Sequence, residues 1–98
     1  MLSLKSRVSR NSRVPWRIIE KEAILVNVDK GEVIHLNEVG AEIWNTLNGR
    51  KSVEDIGDHL HHTFEVSREE AQRDALEFLS RLIQKKLLLL SRSKIKDK

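Results

Sequence analysis

Apolar residues recur along this chain in two periods. From Val14 to Leu36 they crowd into short runs, and from Val39 to Ile83 they return every three or four positions, so strands are expected first and helices after them. Val14-Pro15-Trp16-Arg17-Ile18-Ile19-Glu20 predicts a strand at a sheet edge, because Pro15 has no amide to give to a ladder. Ala23 to Val28 predicts a second strand. Asp29-Lys30-Gly31 predicts a three-residue turn with Gly31 at positive φ, after which Glu32 to Leu36 returns antiparallel. With that turn Val28 faces Glu32, Val26 faces Ile34 and Ile24 faces Leu36, which puts Ile24, Val26, Ile34 and Leu36 on the face that helices cover. Leu25, Val33 and His35 then share the opposite face. It is more apolar than a solvated face requires, so either the N-terminal arm with Trp16 or a second copy of the chain is expected to cover it.

The helical part is punctuated by its caps. Asn37 can accept from the first free amides of a helix, Glu38 suits the positive end of its dipole, and Gly49 supplies a left-handed C′ residue. Leu36, Val39, Ile43 and Leu47 form its inner stripe, with Gly40 and Trp44 beside them. Ser52 caps a second helix whose inner residues are Val53, Ile56, Leu60 and Phe64, with Glu54 and Asp55 in its first turn. Ser67 and Glu70 form a capping box for a third, which buries Ala71, Ala75, Phe78, Leu79, Leu82 and Ile83 and ends near Lys86. Leu87 to Leu90 is too apolar for a free tail and packs as an extended segment or an added turn. The expected class is α+β, a three-stranded antiparallel sheet followed by three helices, resembling a winged helix. Its expected core is Ile34, Leu36, Ile43, Leu47, Ile56, Leu60, Phe78 and Leu82.

Charge divides the chain differently. The net charge of +3 hides an acidic body, since residues 14–84 carry eight basic and fourteen acidic residues while the ends carry the surplus of lysine and arginine. Residues 1–13 and 91–98 are therefore expected to be solvated basic arms around one domain at 14–90. The chain has no cysteine, which removes disulfides, thiolate zinc sites and a thiol nucleophile, and agrees with a reducing compartment such as the cytoplasm. The first residues lack the apolar stretch of a secretory signal, and no purely apolar run is longer than Leu87 to Leu90, which is far short of the roughly 20 residues a membrane span needs.

Candidate chemistry is sparse. His59 and His62 stand three apart on the second helix with His61 between them, but no third ligand is placed to complete a metal site. Ser67 has no activating His and Asp, and Glu69 and Glu70 point in different directions. No phosphate-binding glycine loop is present, so neither catalysis nor a cofactor is expected. A DNA-binding winged helix would read with the third helix, yet Arg68, Arg73 and Arg81 there are outnumbered by Glu69, Glu70, Asp74 and Glu77, which opposes phosphate neutralisation. The strand Glu32 to Leu36 suits a peptide guest better. In a meander it is an edge with no proline or lysine to block it, so either a guest strand pairs with it or a second copy of the chain or the tails close it.

The stretch Leu36-Asn37-x-x-Gly40-x-x-Ile43-Trp44-x-x-Leu47-x-Gly49, with Ser52-Val53-x-x-Ile56 after it, resembles the PqqD-like family, the RiPP recognition elements. Phe64-Glu65-Val66-Ser67 and Asp74 to Leu82 keep the family's order, so the resemblance runs from about residue 23 to residue 90. It implies a peptide chaperone without chemistry of its own. Such a protein holds the leader of a ribosomally made precursor as an added strand and presents it to a modifying enzyme, a radical S-adenosylmethionine protein in pyrroloquinoline quinone biosynthesis, or the enzymes of lasso and other modified peptides. By position the resemblance assigns leader binding to Glu32, Val33, Ile34, His35 and Leu36 on the strand and to Asp74, Phe78, Arg81, Leu82 and Lys85 on the third helix. Lys85-Lys86-Leu87 departs from the family, where many members have a glycine after this helix.

Overall fold

A computed structural model describes residues 2–91. Two three-stranded antiparallel sheets share one core with three helices. Strands β1 (Arg7–Arg10), β2 (Trp16–Ile19), β3 (Glu22–Asn27) and β4 (Glu32–Leu36) precede helix α1 (Glu38–Thr46), and β5 (Asn48–Ser52), α2 (Val53–Thr63), α3 (Arg68–Gln84) and β6 (Leu88–Ser91) follow. The α+β class, the meander β2-β3-β4 and the three helices are those the sequence predicts. The second sheet, in the order β5-β1-β6, is not.

This second sheet corrects the reading of residues 1–13 as a free arm. Arg7 to Arg10 is the middle strand, bonded on one side to β5 and on the other to β6, and Val8 in it is fully buried. The local sequence Arg7-Val8-Ser9-Arg10 buries one side chain only, so its order comes from two distant partners. Gly49 does have positive φ, 84°, but it lies in β5 and not at C′. There β1 spans Arg7 to Ser9 while β5 spans Asn48 to Ser52, and the surplus residues form a bulge. Leu88, the first residue of β6, and Leu87 before it are buried. The C-terminal arm expected at 91–98 lies outside the described residues, apart from Ser91 at the end of β6.

The β3–β4 hairpin also departs from the expected register. Its loop is Val28 to Gly31, one residue longer than predicted, and Asn27 faces Glu32, Leu25 faces Ile34 and Ala23 faces Leu36. A slip of one residue turns every β3 side chain over. Ala23 and Leu25 are therefore fully buried, and Val28 is 64% exposed. Ile24, Val26, Val33 and His35, with Arg17 and Ile19 of β2, make the outer face instead. Every residue from Ala23 to Val26 is apolar, so alternation alone could not choose between the two registers. Asn27 adds a reason for the one adopted: its Nδ2 donates to the carbonyl of Lys85 at 3.5 Å, from a side chain that is otherwise buried.

The predicted caps organise the helices. Asn37 Oδ1 accepts from the Gly40 amide at 2.9 Å. Ser52 and Asp55 form a reciprocal capping box, and Ser67 accepts from the Glu70 amide at 3.1 Å without the return bond from Glu70 that the sequence suggested. Hydrogen bonds from Ser52 hold the Asp55 carboxyl below its ordinary range. The stabilisation from this carboxylate is therefore fully present above that range and is lost as pH falls through the lowered value, while the bond from the Asp55 amide to Ser52 Oγ remains. His59, considered as a metal ligand, instead meets Glu42 at 2.6 Å and ties α2 to α1. His61 bonds the Val66 carbonyl. Trp44 is fully buried under Trp16, whose ring stands edge-on to it at 6.0 Å, while Val39, expected in the inner stripe, is 36% exposed.

Helix α3 ends in two crossed bonds, Lys86 amide to Ile83 carbonyl and Leu87 amide to Leu82 carbonyl. This Schellman motif requires a left-handed C′ residue, and Lys86 takes it with φ of 63°. The departure from the family's glycine thus leaves the turn intact under strain, and the turn delivers Leu87 into the core. Lys86→Gly is expected to raise stability by about 0.5–1 kcal/mol, read as a higher denaturant midpoint with unchanged slope.

Candidate functional site

Strand β4 is the last strand of its sheet, and α3 passes beside it. Between them lies a groove of about 360 Å³ lined by Ile34, His35, Leu36 and Asn37 on one side and Phe78, Arg81, Leu82 and Lys85 on the other. Leu36 and Leu82 form its buried floor, while Ile34 and Phe78, predicted as core, are only partly buried. The incomplete burial has a cause: these two side chains face a space that none of the described residues fills. Gly40 fixes the ring of Phe78, because a Cβ there would stand 2.9 Å from Phe78 Cε1 and 3.3 Å from Leu36 Cβ. Only glycine lets the first turn of α1 come so close. At the hairpin end Lys85 Nζ approaches Glu32 Oε2 at 3.4 Å, with both side chains about two-fifths exposed. Such a pair contributes little to stability and can open to a competing charge.

The backbone of β4 offers more than its side chains. The Val26 amide donates to the Pro15 carbonyl of the strand on the far side, so Ile24 and Val26 direct their peptide groups toward β2, and Ala23, Leu25 and Asn27 direct theirs toward β4. Glu32, Ile34 and Leu36, which face those three, therefore spend their amides and carbonyls inside the sheet. Val33 and His35 turn theirs to the open edge. A strand laid along this edge would find two pairs of free donors and acceptors there, and its alternate side chains would fall beside the groove.

Of the residues assigned by resemblance, Ile34, His35, Leu36, Phe78, Arg81, Leu82 and Lys85 meet in the groove. Glu32 closes its end through Lys85, and Val33 lies on the edge with its side chain on the outer face. Asp74 is exposed on α3 and is not part of the lining. Asn37 is the lining residue that sequence reasoning missed, because its role as a cap already accounted for it. Among the described residues no group of three or more His, Cys, Asp or Glu stands where it could hold a metal ion.

A short meander, an open edge and a helix lying beside that edge define a small α+β module of the winged-helix kind with a strand-sized groove. The chain belongs to the PqqD family: the model of coenzyme PQQ synthesis protein D matches residues 22–88. No curated protein sequence gives a significant match. Among solved structures, TbiB1 in complex with the TbiA(beta) leader peptide is 29% identical, covers 87% of this chain and 99% of its own, and superposes with a TM-score of 0.76. A lasso peptide synthetase B1 complexed with its leader peptide is 23% identical, with 85% and 98% covered and a TM-score of 0.74. The PqqD part of Methylobacterium extorquens PqqCD, described as a stand-alone RiPP recognition element, is 21% identical, with 91% and 95% covered and a TM-score of 0.75.

Proposed function

We propose that this chain is a non-catalytic peptide chaperone that binds the leader of a ribosomally made precursor and presents it to a modifying enzyme. The observation that carries this reading is the pair of unspent peptide groups at Val33 and His35 beside an apolar groove. The leader adds a strand to β4. Main-chain hydrogen bonds with Val33 and His35 supply affinity, and Ile34, Leu36, Phe78 and Leu82 select its side chains. Arg81, Lys85 and Glu32 flank the groove with charge, and Asp74 lies one turn away on the same helix. The likeness to TbiB1, whose structure holds a leader peptide, supports the same task. It favours a lasso or related pathway as much as pyrroloquinoline quinone, with a radical S-adenosylmethionine protein or another tailoring enzyme as the partner. No helix among the described residues is long and apolar enough to cross a membrane, which suits work in the cytoplasm where precursors are made.

The test is fluorescence anisotropy with the synthetic leader encoded in this protein's own locus and, separately, duplex DNA. Saturable leader binding that persists from low to physiological salt is expected. Binding to DNA but not to the leader, with affinity falling steeply as salt rises, would overturn the proposal.

A further inference from the structure

Lys85 lines two cavities. One is the groove beside β4. The other, of about 550 Å³, lies between the β3–β4 hairpin, the end of α3 and the segment before β2, and its charged lining is Arg13, Lys30, Lys85 and Lys86 against Asp29 alone. Four cations converge here, Lys30 from the acidic segment 14–84 and Arg13, Lys85 and Lys86 from the basic ends that flank it. The end of a helix ordinarily repels an anion through its unpaired carbonyls. Here most of those carbonyls are occupied: Arg81 by the Lys85 amide, Leu82 and Ile83 by the amides of the closing turn, Lys85 by Asn27 Nδ2, Lys86 by Asn11 Nδ2 at 2.9 Å, and Leu87 by the Asn11 amide, while that of Gln84 has no partner among the described residues. An anion entering the cavity meets ammonium and guanidinium groups.

The position of this cavity relative to the open edge gives it a role. A guest strand pairing antiparallel with β4 runs from the Leu36 end toward the hairpin, so its C-terminal side advances past Glu32 toward Lys30 and Lys85. We propose that the basic cavity receives an acidic side chain of the guest, placed about two to four residues beyond the one paired with Val33, a span of roughly 7–13 Å in extended chain. That side chain competes with Glu32 for Lys85 and sets the direction and register of the guest, which main-chain pairing alone leaves weakly defined. The substrate class is thus a leader whose strand segment is followed by aspartate or glutamate. This inference rests on strand addition at β4.

The test uses the synthetic leader from this protein's own locus, with an Arg13→Glu/Lys30→Glu variant. Both positions are exposed and outside the groove, so the melting temperature should hold. Affinity is expected to fall about tenfold, as several weak charge contacts together would give, and to recover when the leader's acidic residue in that window is replaced by lysine. Unchanged affinity in the variant, with the usual response of residues 32–36, would overturn the acidic subsite and leave strand addition standing. A leader with no acid in the window would do the same. A leader that fails to bind the unaltered protein would overturn strand addition itself, and the subsite with it.

Discussion

Val33→Pro is expected to remove most leader binding while the protein stays folded. The Val33 amide points to the open edge, since Val26 opposite it donates to Pro15 on the other side of the sheet. No ladder bond within the sheet is therefore lost, and proline is tolerated where the missing amide faces outward on an edge strand. A guest strand loses one main-chain hydrogen bond and meets the ring of the proline in its place. Together these should weaken binding by about 1–3 kcal/mol, roughly fivefold to more than a hundredfold, with a denaturant midpoint close to that of the parent. Ile34→Pro is the control. Ile34 spends its amide on β3, so that change should destabilise the fold itself. If both variants fold equally well, the assignment of free and paired amides is wrong.

Ile43→Ala carries the largest effect expected on stability. Ile43 is 1% exposed in α1, and α1 is the helix whose first turn brings Asn37 and Gly40 against Leu36 and Phe78. Truncation leaves a cavity in the shared core and should cost about 2–5 kcal/mol, a large part of the stability of so small a domain. The melting temperature should fall by roughly 10 °C or more. Val39→Ala on the same helix, at a residue 36% exposed, should change stability by about 1 kcal/mol or less. Equal effects at the two positions would mean that the buried face of α1 is misplaced.

The residues that decide the fold were legible to different degrees, according to how local their physics is. Asn37, Ser52 and Ser67 could be read directly as caps because each satisfies an amide within a few residues of itself. Most of the groove could be read as well, through the resemblance around Trp44 and the stripe on α3. The hairpin register could not, because residues 23–26 are apolar on both faces and the deciding contact, Asn27 to Lys85, spans 58 residues. The β5-β1-β6 sheet was invisible for the same reason. Ser-Arg-Val-Ser-Arg and Asn-Gly-Arg-Lys-Ser carry no strand pattern, and their order depends on pairing with each other and with Leu88 to Ser91. Arg10 shows what a charge count misses. It read as part of a solvated basic arm, but its Nη1 donates to the Trp44 carbonyl at 2.8 Å and its guanidinium lies 5.0 Å from the Trp16 ring.

Leader binding at the β4 edge is tested most directly by titrating isotope-labelled protein with the synthetic leader and following backbone amide shifts. The largest changes are expected at Val33 and His35, whose amides are free at the edge, and across residues 78–85 on the facing helix. Shifts confined to the basic segment before Val14 or to the outer face of β2, with β4 and α3 unmoved, would contradict the account.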